Sequence, residues 1–123
     1  MAFLTDRKRV VGLGSAKTGT DHFWAMKKSS VALLILVPLF IFTFGGILGG
    51  TYEEVVAYYS RPFPAIIAAL TLLVGFKHFN DGVQVLIEDY VHGTMEKVLI
   101  LVMTCVSYGA AAVGVFAIAR LAL

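Results

Sequence analysis

SSVALLILVPLFIFTFGGILGG, residues 29 to 50, contains no charged side chain. About 20 apolar residues, rising ~1.5 Å each, are what a helix needs to cross a hydrocarbon core of about 30 Å. Two more such runs follow. Residues 62 to 87 read PFPAIIAALTLLVGFKHFNDGVQVLI, and residues 98 to 123 read VLILVMTCVSYGAAAVGVFAIARLAL, interrupted only by Arg120. The 123-residue chain is 59% hydrophobic, above the roughly 45–50% of a soluble domain, and its mean hydropathy is +0.84. The fold class expected is an all-α membrane protein with three transmembrane helices.

The connections fix the expected topology. Arg7, Lys8, Arg9, Lys17, Lys27 and Lys28 gather positive charge in the polar segment 1 to 28, which predicts a cytoplasmic N-terminus. Residues 51 to 61, TYEEVVAYYSR, then form a periplasmic loop, expected as a short surface helix or turn. Residues 88 to 97, EDYVHGTMEK, form a cytoplasmic turn around Gly93. Pro38 is tolerable inside a membrane helix and bends it, whereas Pro62 suits a first helical turn, where its missing N–H costs nothing.

Several function classes are excluded. A lone cysteine, Cys105, permits no intrachain disulfide or cysteine metal cluster and is expected to pack in its apolar run. A net charge of +2 is too small to point to nucleic acid. Gly12, Gly14 and Gly19 lack dinucleotide-binding spacing, and Gly14-Ser15-Ala16-Lys17-Thr18 lacks the first glycine of a phosphate loop. No apolar run before residue 29 is long enough for a signal peptide, and no Arg- and Ser-rich transit segment precedes Asp6 and Asp21, so a bacterial inner membrane is expected.

The second helix carries the chemistry. It holds Lys77, His78, Asn80, Asp81 and Gln84, and an ionisable group at the bilayer centre costs about 2.5 kcal/mol or more on insertion scales. At about 100° per residue, Gly75 and Gly82 fall within ~60° of His78. Glycines on either side of the imidazole leave room for a broad flat group such as a porphyrin face. Lys77, Asp81, Gln84 and Glu88 form a second stripe, in which Lys77 and Asp81 can neutralise each other or meet a partner helix. His22 precedes the first span and His92 follows the second, so two-histidine haem ligation requires another subunit. Asp89 and Tyr90 lie ~16–18 Å along the helix from His78, where a phenol beside a carboxylate can donate a hydrogen bond to a quinone carbonyl.

His78, ten residues and then Asp89-Tyr90, in HFNDGVQVLIEDYVH, resembles the hydrophobic D-type anchor subunit of succinate dehydrogenase, respiratory complex II. GSAKTGTDHFWAMKKSSVALL before the first span and RPFPAI before the second are similar to its bacterial members. The resemblance implies half of a heterodimeric anchor bundle, paired with a C-type anchor and docked to an iron–sulfur subunit and a flavoprotein. It implies an enzyme of the tricarboxylic acid cycle and aerobic respiration in which this chain has no independent activity. His78 would be an axial ligand of the iron of haem b, shared with the C-type subunit, with Gly75 and Gly82 giving clearance. Tyr90 would hydrogen-bond ubiquinone, oriented or tuned by Asp89. His22 and Lys27 are candidates for the haem propionates, in place of the arginine that some relatives carry there. FAD and iron–sulfur clusters would belong to partner subunits.

Three other readings stay open on the residues alone. The chain could be a cofactor-free scaffold in which His78 makes only an interhelical hydrogen bond. It could be a fumarate reductase-type anchor, or a small transporter using Lys77, His78 and Asp81 as an ion path. Three short helices without an inverted repeat disfavour the last.

Overall fold

The computed structural model describes residues 3–14 and 19–123, so Ser15, Ala16, Lys17 and Thr18 of the glycine-rich stretch lie outside the described residues. Five helices follow in order: α1 (Asp6–Val11), α2 (Asp21–Gly45), α3 (Tyr52–Tyr59), α4 (Pro62–Tyr90) and α5 (Thr94–Ala122). There is no strand among the described residues. The long helices α2, α4 and α5 are each long and apolar enough to cross a membrane.

Helix ends follow local chemistry more than hydropathy. α2 begins at Asp21, ahead of the uncharged run, because nothing from His22 to Ser29 breaks a helix and Asp21 suits the positive end of the helix dipole. In α3 the Thr51 hydroxyl accepts from the Glu54 N–H at 3.4 Å, while the Glu54 carboxylate accepts from the Thr51 N–H at 2.7 Å. This reciprocal cap fixes the start of a helix otherwise too short to persist alone. Pro62 occupies the first position of α4. That helix continues beyond Ile87 to Tyr90, where the chain turns extended at Val91 and Gly93 takes a φ of +76°. Asp89 and Tyr90 therefore stand on its last turn.

α4 is the central helix. Of its most apolar 18-residue stretch 22% is buried, against 6% for α2 and 11% for α5. α2 and α5 both pack on α4, and their Cα atoms do not approach one another within 8 Å. Toward the α3 end the core joins Tyr59, Ala65 and Ala68 to Phe40, Ile47 and Leu121. Tyr59 is thus a core residue, although its segment has the composition of an interfacial loop. Burial pushes its phenol above the usual tyrosine range, and Tyr58 beside it acts in the same direction.

α5 meets α4 through small residues. Ser107 and Ala111 are buried, and a Cβ on Gly114 would come within 3.0 Å of Leu72 Cδ1. Small residues let membrane helices approach closely where no hydrophobic effect drives them together. Gly114→Val is expected to wedge α5 from α4 and cost about 1–3 kcal/mol, as overpacking does. Thermal unfolding in detergent checks this, and an unchanged midpoint would show that Leu72 yields freely. Cys105 is a free cysteine exposed on α5 rather than buried between the helices of this chain.

Candidate functional site

The polar residues of α4 are distributed by its rotation. Lys77 donates to both carboxylate oxygens of Asp81, at 2.6 and 2.5 Å, and Gln84 donates to Glu88 at 2.8 Å. The stripe thus resolves into two i,i+4 pairs. The Asp81 side chain is 5% exposed and that of Lys77 44%, so the lysine neutralises a buried carboxylate from the open side.

His78 also stands toward α2, as do Lys77 and Glu88, which line grooves beside that helix. Nδ1 of His78 is 2.9 Å from Ser29 Oγ. The hydroxyl of Ser29 also reaches the Met26 carbonyl at 2.9 Å. Nε2 of His78 has no hydrogen-bond partner among the described residues. The imidazole is held by one nitrogen, leaving the other uncommitted.

Gly75 and Gly82 flank His78 by about one turn on either side. A Cβ on either would meet nothing within 4 Å, so this chain's own packing does not demand glycine there. Gly75, but neither Gly82 nor His78, lines an apolar groove of about 310 Å³ with Thr71, Leu72, Phe76 and Phe79. No group of three or more His, Cys, Asp or Glu among the described residues could hold a metal ion unaided. A porphyrin, which brings four nitrogens of its own, needs only one imidazole from this chain and a flat apolar wall. The uncommitted nitrogen and the bare glycines one turn to either side of it along the helix fit such a group.

His22 and Lys27 do not come together. His22 faces α4, in a groove of about 460 Å³ shared with Met26, Val85 and Glu88. Its Nε2 is buried without a partner among the described residues. Lys27 is exposed and lies over the Phe23 ring, 5.3 Å from its centroid, on the side of Trp24. Asp89 and Tyr90 are both exposed, Tyr90 at 79%. They make no hydrogen bond to each other among the described residues, as expected of adjacent helix positions that face different directions.

Ser29 is the residue that sequence reading missed. It sits at the start of an apolar run, where a serine suggests only a helix boundary, and its pairing with His78 depends on an α2–α4 register that one sequence does not reveal.

Comparison with known proteins shows the family. The chain matches the model of the succinate dehydrogenase/fumarate reductase transmembrane subunit family over residues 3–117. It is 42% identical to the succinate dehydrogenase hydrophobic membrane anchor subunit of Paracoccus denitrificans over 123 residues, covering 100% of this chain and 95% of the relative. No solved structure gives a significant match. With a family match across nearly its whole length and a full-length relative at this identity, the chain belongs to the succinate dehydrogenase/fumarate reductase transmembrane subunit family, as a membrane anchor subunit of that enzyme.

Proposed function

We propose that this anchor subunit provides one axial ligand, His78, to a haem b shared with a C-type anchor subunit, and that Tyr90 and Asp89 form part of a ubiquinone site at the end of α4. The observation that carries the reading is the state of His78: Nδ1 is tied to Ser29 and Nε2 has no partner among the described residues, while a Cβ on Gly75 or Gly82, about one turn to either side along the helix, would meet nothing within 4 Å. The other axial ligand comes from the partner, because His22 lies beside Val85 and Glu88, about two turns or more along α4 from His78, and His92 lies beyond the end of α4.

Bound there, haem b supplies one-electron redox chemistry near the quinone. This chain's residues hold and orient. His78, its ring held by the bond to α2, would hold the group, and Gly75 and Gly82 would leave it room beside the helix. His22, with an unpaired buried nitrogen, can receive a propionate oxygen; Lys27, on another face of α2, can do so only for a group reaching round that helix. Tyr90 donates a hydrogen bond to a quinone carbonyl and helps deliver its proton, while Asp89 keeps the local field favourable to proton transfer.

The flavoprotein and iron–sulfur subunits dock on the face where α4 ends, which the positive-inside rule makes cytoplasmic in a bacterial inner membrane. FAD and the iron–sulfur clusters sit in those partners. Succinate oxidation coupled to ubiquinone reduction, the step joining the tricarboxylic acid cycle to aerobic respiration, is the direction proposed, with a fumarate reductase-type anchor as the alternative.

The Ser29–His78 bond is also what a cofactor-free scaffold would use to join two helices, so a test must separate clearance from packing. Gly82→Leu does so. Leucine is favoured over glycine in a helix by about 0.5–1 kcal/mol, and it would touch nothing in this chain within 4 Å of its Cβ. The variant is expected to assemble normally yet lose most of its reduced-minus-oxidised haem absorbance. Full haem content in Gly82→Leu would remove the glycine face from the site and favour the scaffold.

A further inference from the structure

We infer that Ser29 is a positioning residue for His78: its hydroxyl accepts the Nδ1 proton of the imidazole and so leaves Nε2 as the free lone pair on the ring. The functional meaning rests on His78 being a haem ligand, whereas the proton assignment does not. Ser29 Oγ lies 2.9 Å from His78 Nδ1 and 2.9 Å from the Met26 carbonyl oxygen. A serine hydroxyl carries one proton and two lone pairs.

The carbonyl can only accept, so a bond to it uses that one proton. What Ser29 then presents to the ring is a lone pair, and the ring must be the donor. The opposite assignment sends the hydroxyl proton to Nδ1. It forfeits the Met26 bond and leaves an Nε2–H with no acceptor among the described residues. The first assignment makes two hydrogen bonds and the second makes one. Ser30 Oγ also donates to Met26 at 2.9 Å, so the two hydroxyls share one acceptor. Ser30 is exposed and Ser29 is buried, so only Ser30 can turn away without stranding its proton.

This is the tautomer that iron requires. A ligating histidine binds through one nitrogen and donates the other N–H to a fixed acceptor, which sets the ring's orientation and raises its basicity. Ser29 fills that role from α2, 49 residues away in sequence. It thereby makes the first helix part of a site whose ligand is on the second.

The test uses the complex purified in mild detergent, with Ser29→Ala and Ser29→Thr beside wild type and His78→Ala. In Ser29→Ala, haem should be released about 10–100-fold more readily, the usual cost of losing such a partner. Its midpoint potential should rise, because a less electron-rich imidazole stabilises ferric iron less. Ser29→Thr, which keeps the hydroxyl, should restore both. In the haem-free full-length chain, ¹⁵N-histidine shifts should report Nδ1-protonated His78 in wild type and Ser29→Thr, and a tautomer mixture in Ser29→Ala. Unchanged release and potential in Ser29→Ala, with wild-type haem still lost in His78→Ala, would overturn the role of Ser29 and spare the ligand. An Nε2-protonated wild-type ring would also overturn it. A wild-type complex without haem would overturn the ligand reading, and the positioning role with it.

Discussion

Tyr90→Phe is expected to lower succinate–quinone reductase activity by about 100-fold, the lower end of what a positioned proton donor contributes. Haem content and succinate oxidation with an artificial dye should remain at wild-type levels. The expectation follows from where Tyr90 stands. It is on the last turn of α4 and 79% exposed, and its hydroxyl bonds nothing else among the described residues. Removing that hydroxyl therefore takes nothing from the fold of this chain. The helix end is held instead by the Val91 N–H, which donates to the Ile87 carbonyl at 2.8 Å, a bond the substitution leaves alone. A loss confined to quinone reduction would place the phenol at the quinone. Unchanged quinone kinetics would remove Tyr90 from the site and leave it as an aromatic anchor at the membrane surface.

The fold was legible because its cause is one-dimensional. Hydrocarbon thickness sets a length, and three long apolar runs meet it, the first uncharged and the others carrying only Lys77, Asp81 and Arg120, so the spans could be read without any tertiary information. Helix ends were less legible. They depend on caps and breakers such as the Thr51–Glu54 box and the positive φ of Gly93, which hydropathy does not register. Tyr59 illustrates the limit: its segment reads as interfacial by composition, but the turn at Ser60 and Arg61 folds it back onto Ala65 and Ala68. Within α4 the helical wheel places Gly75 and Gly82 within about 60° of His78 because all three lie on one element of known geometry. What lay between elements was hidden. The Ser29–His78 bond and the opposed faces of His22 and Lys27 follow from how α2 lies on α4, and that register is set by packing of many weak contacts.

His78→Ala is expected to have the largest effect of any single substitution. Loss of the hydrogen-bond partner of a ligating histidine already costs about 10–100-fold in affinity; loss of the ligand itself should exceed that and leave haem at background. Alanine also deprives Ser29 of its interhelical partner, so some loss of stability is expected alongside. The distinguishing sign is spectroscopic: a destabilised scaffold loses protein and signal together, whereas a ligand variant loses haem from complexes that still assemble. His78→Gln, which keeps a polar group able to reach Ser29, should hold the helices better than alanine while restoring little haem.

The most direct measurement is therefore a dithionite-reduced minus oxidised visible spectrum, normalised to flavin, of the wild-type and His78→Ala complexes purified with their partners. A b-type haem signal in wild type that vanishes in His78→Ala at equal flavin content is the expected result. An intact wild-type complex with no haem signal, or a signal that survives His78→Ala, would contradict the assignment of His78 as an axial ligand.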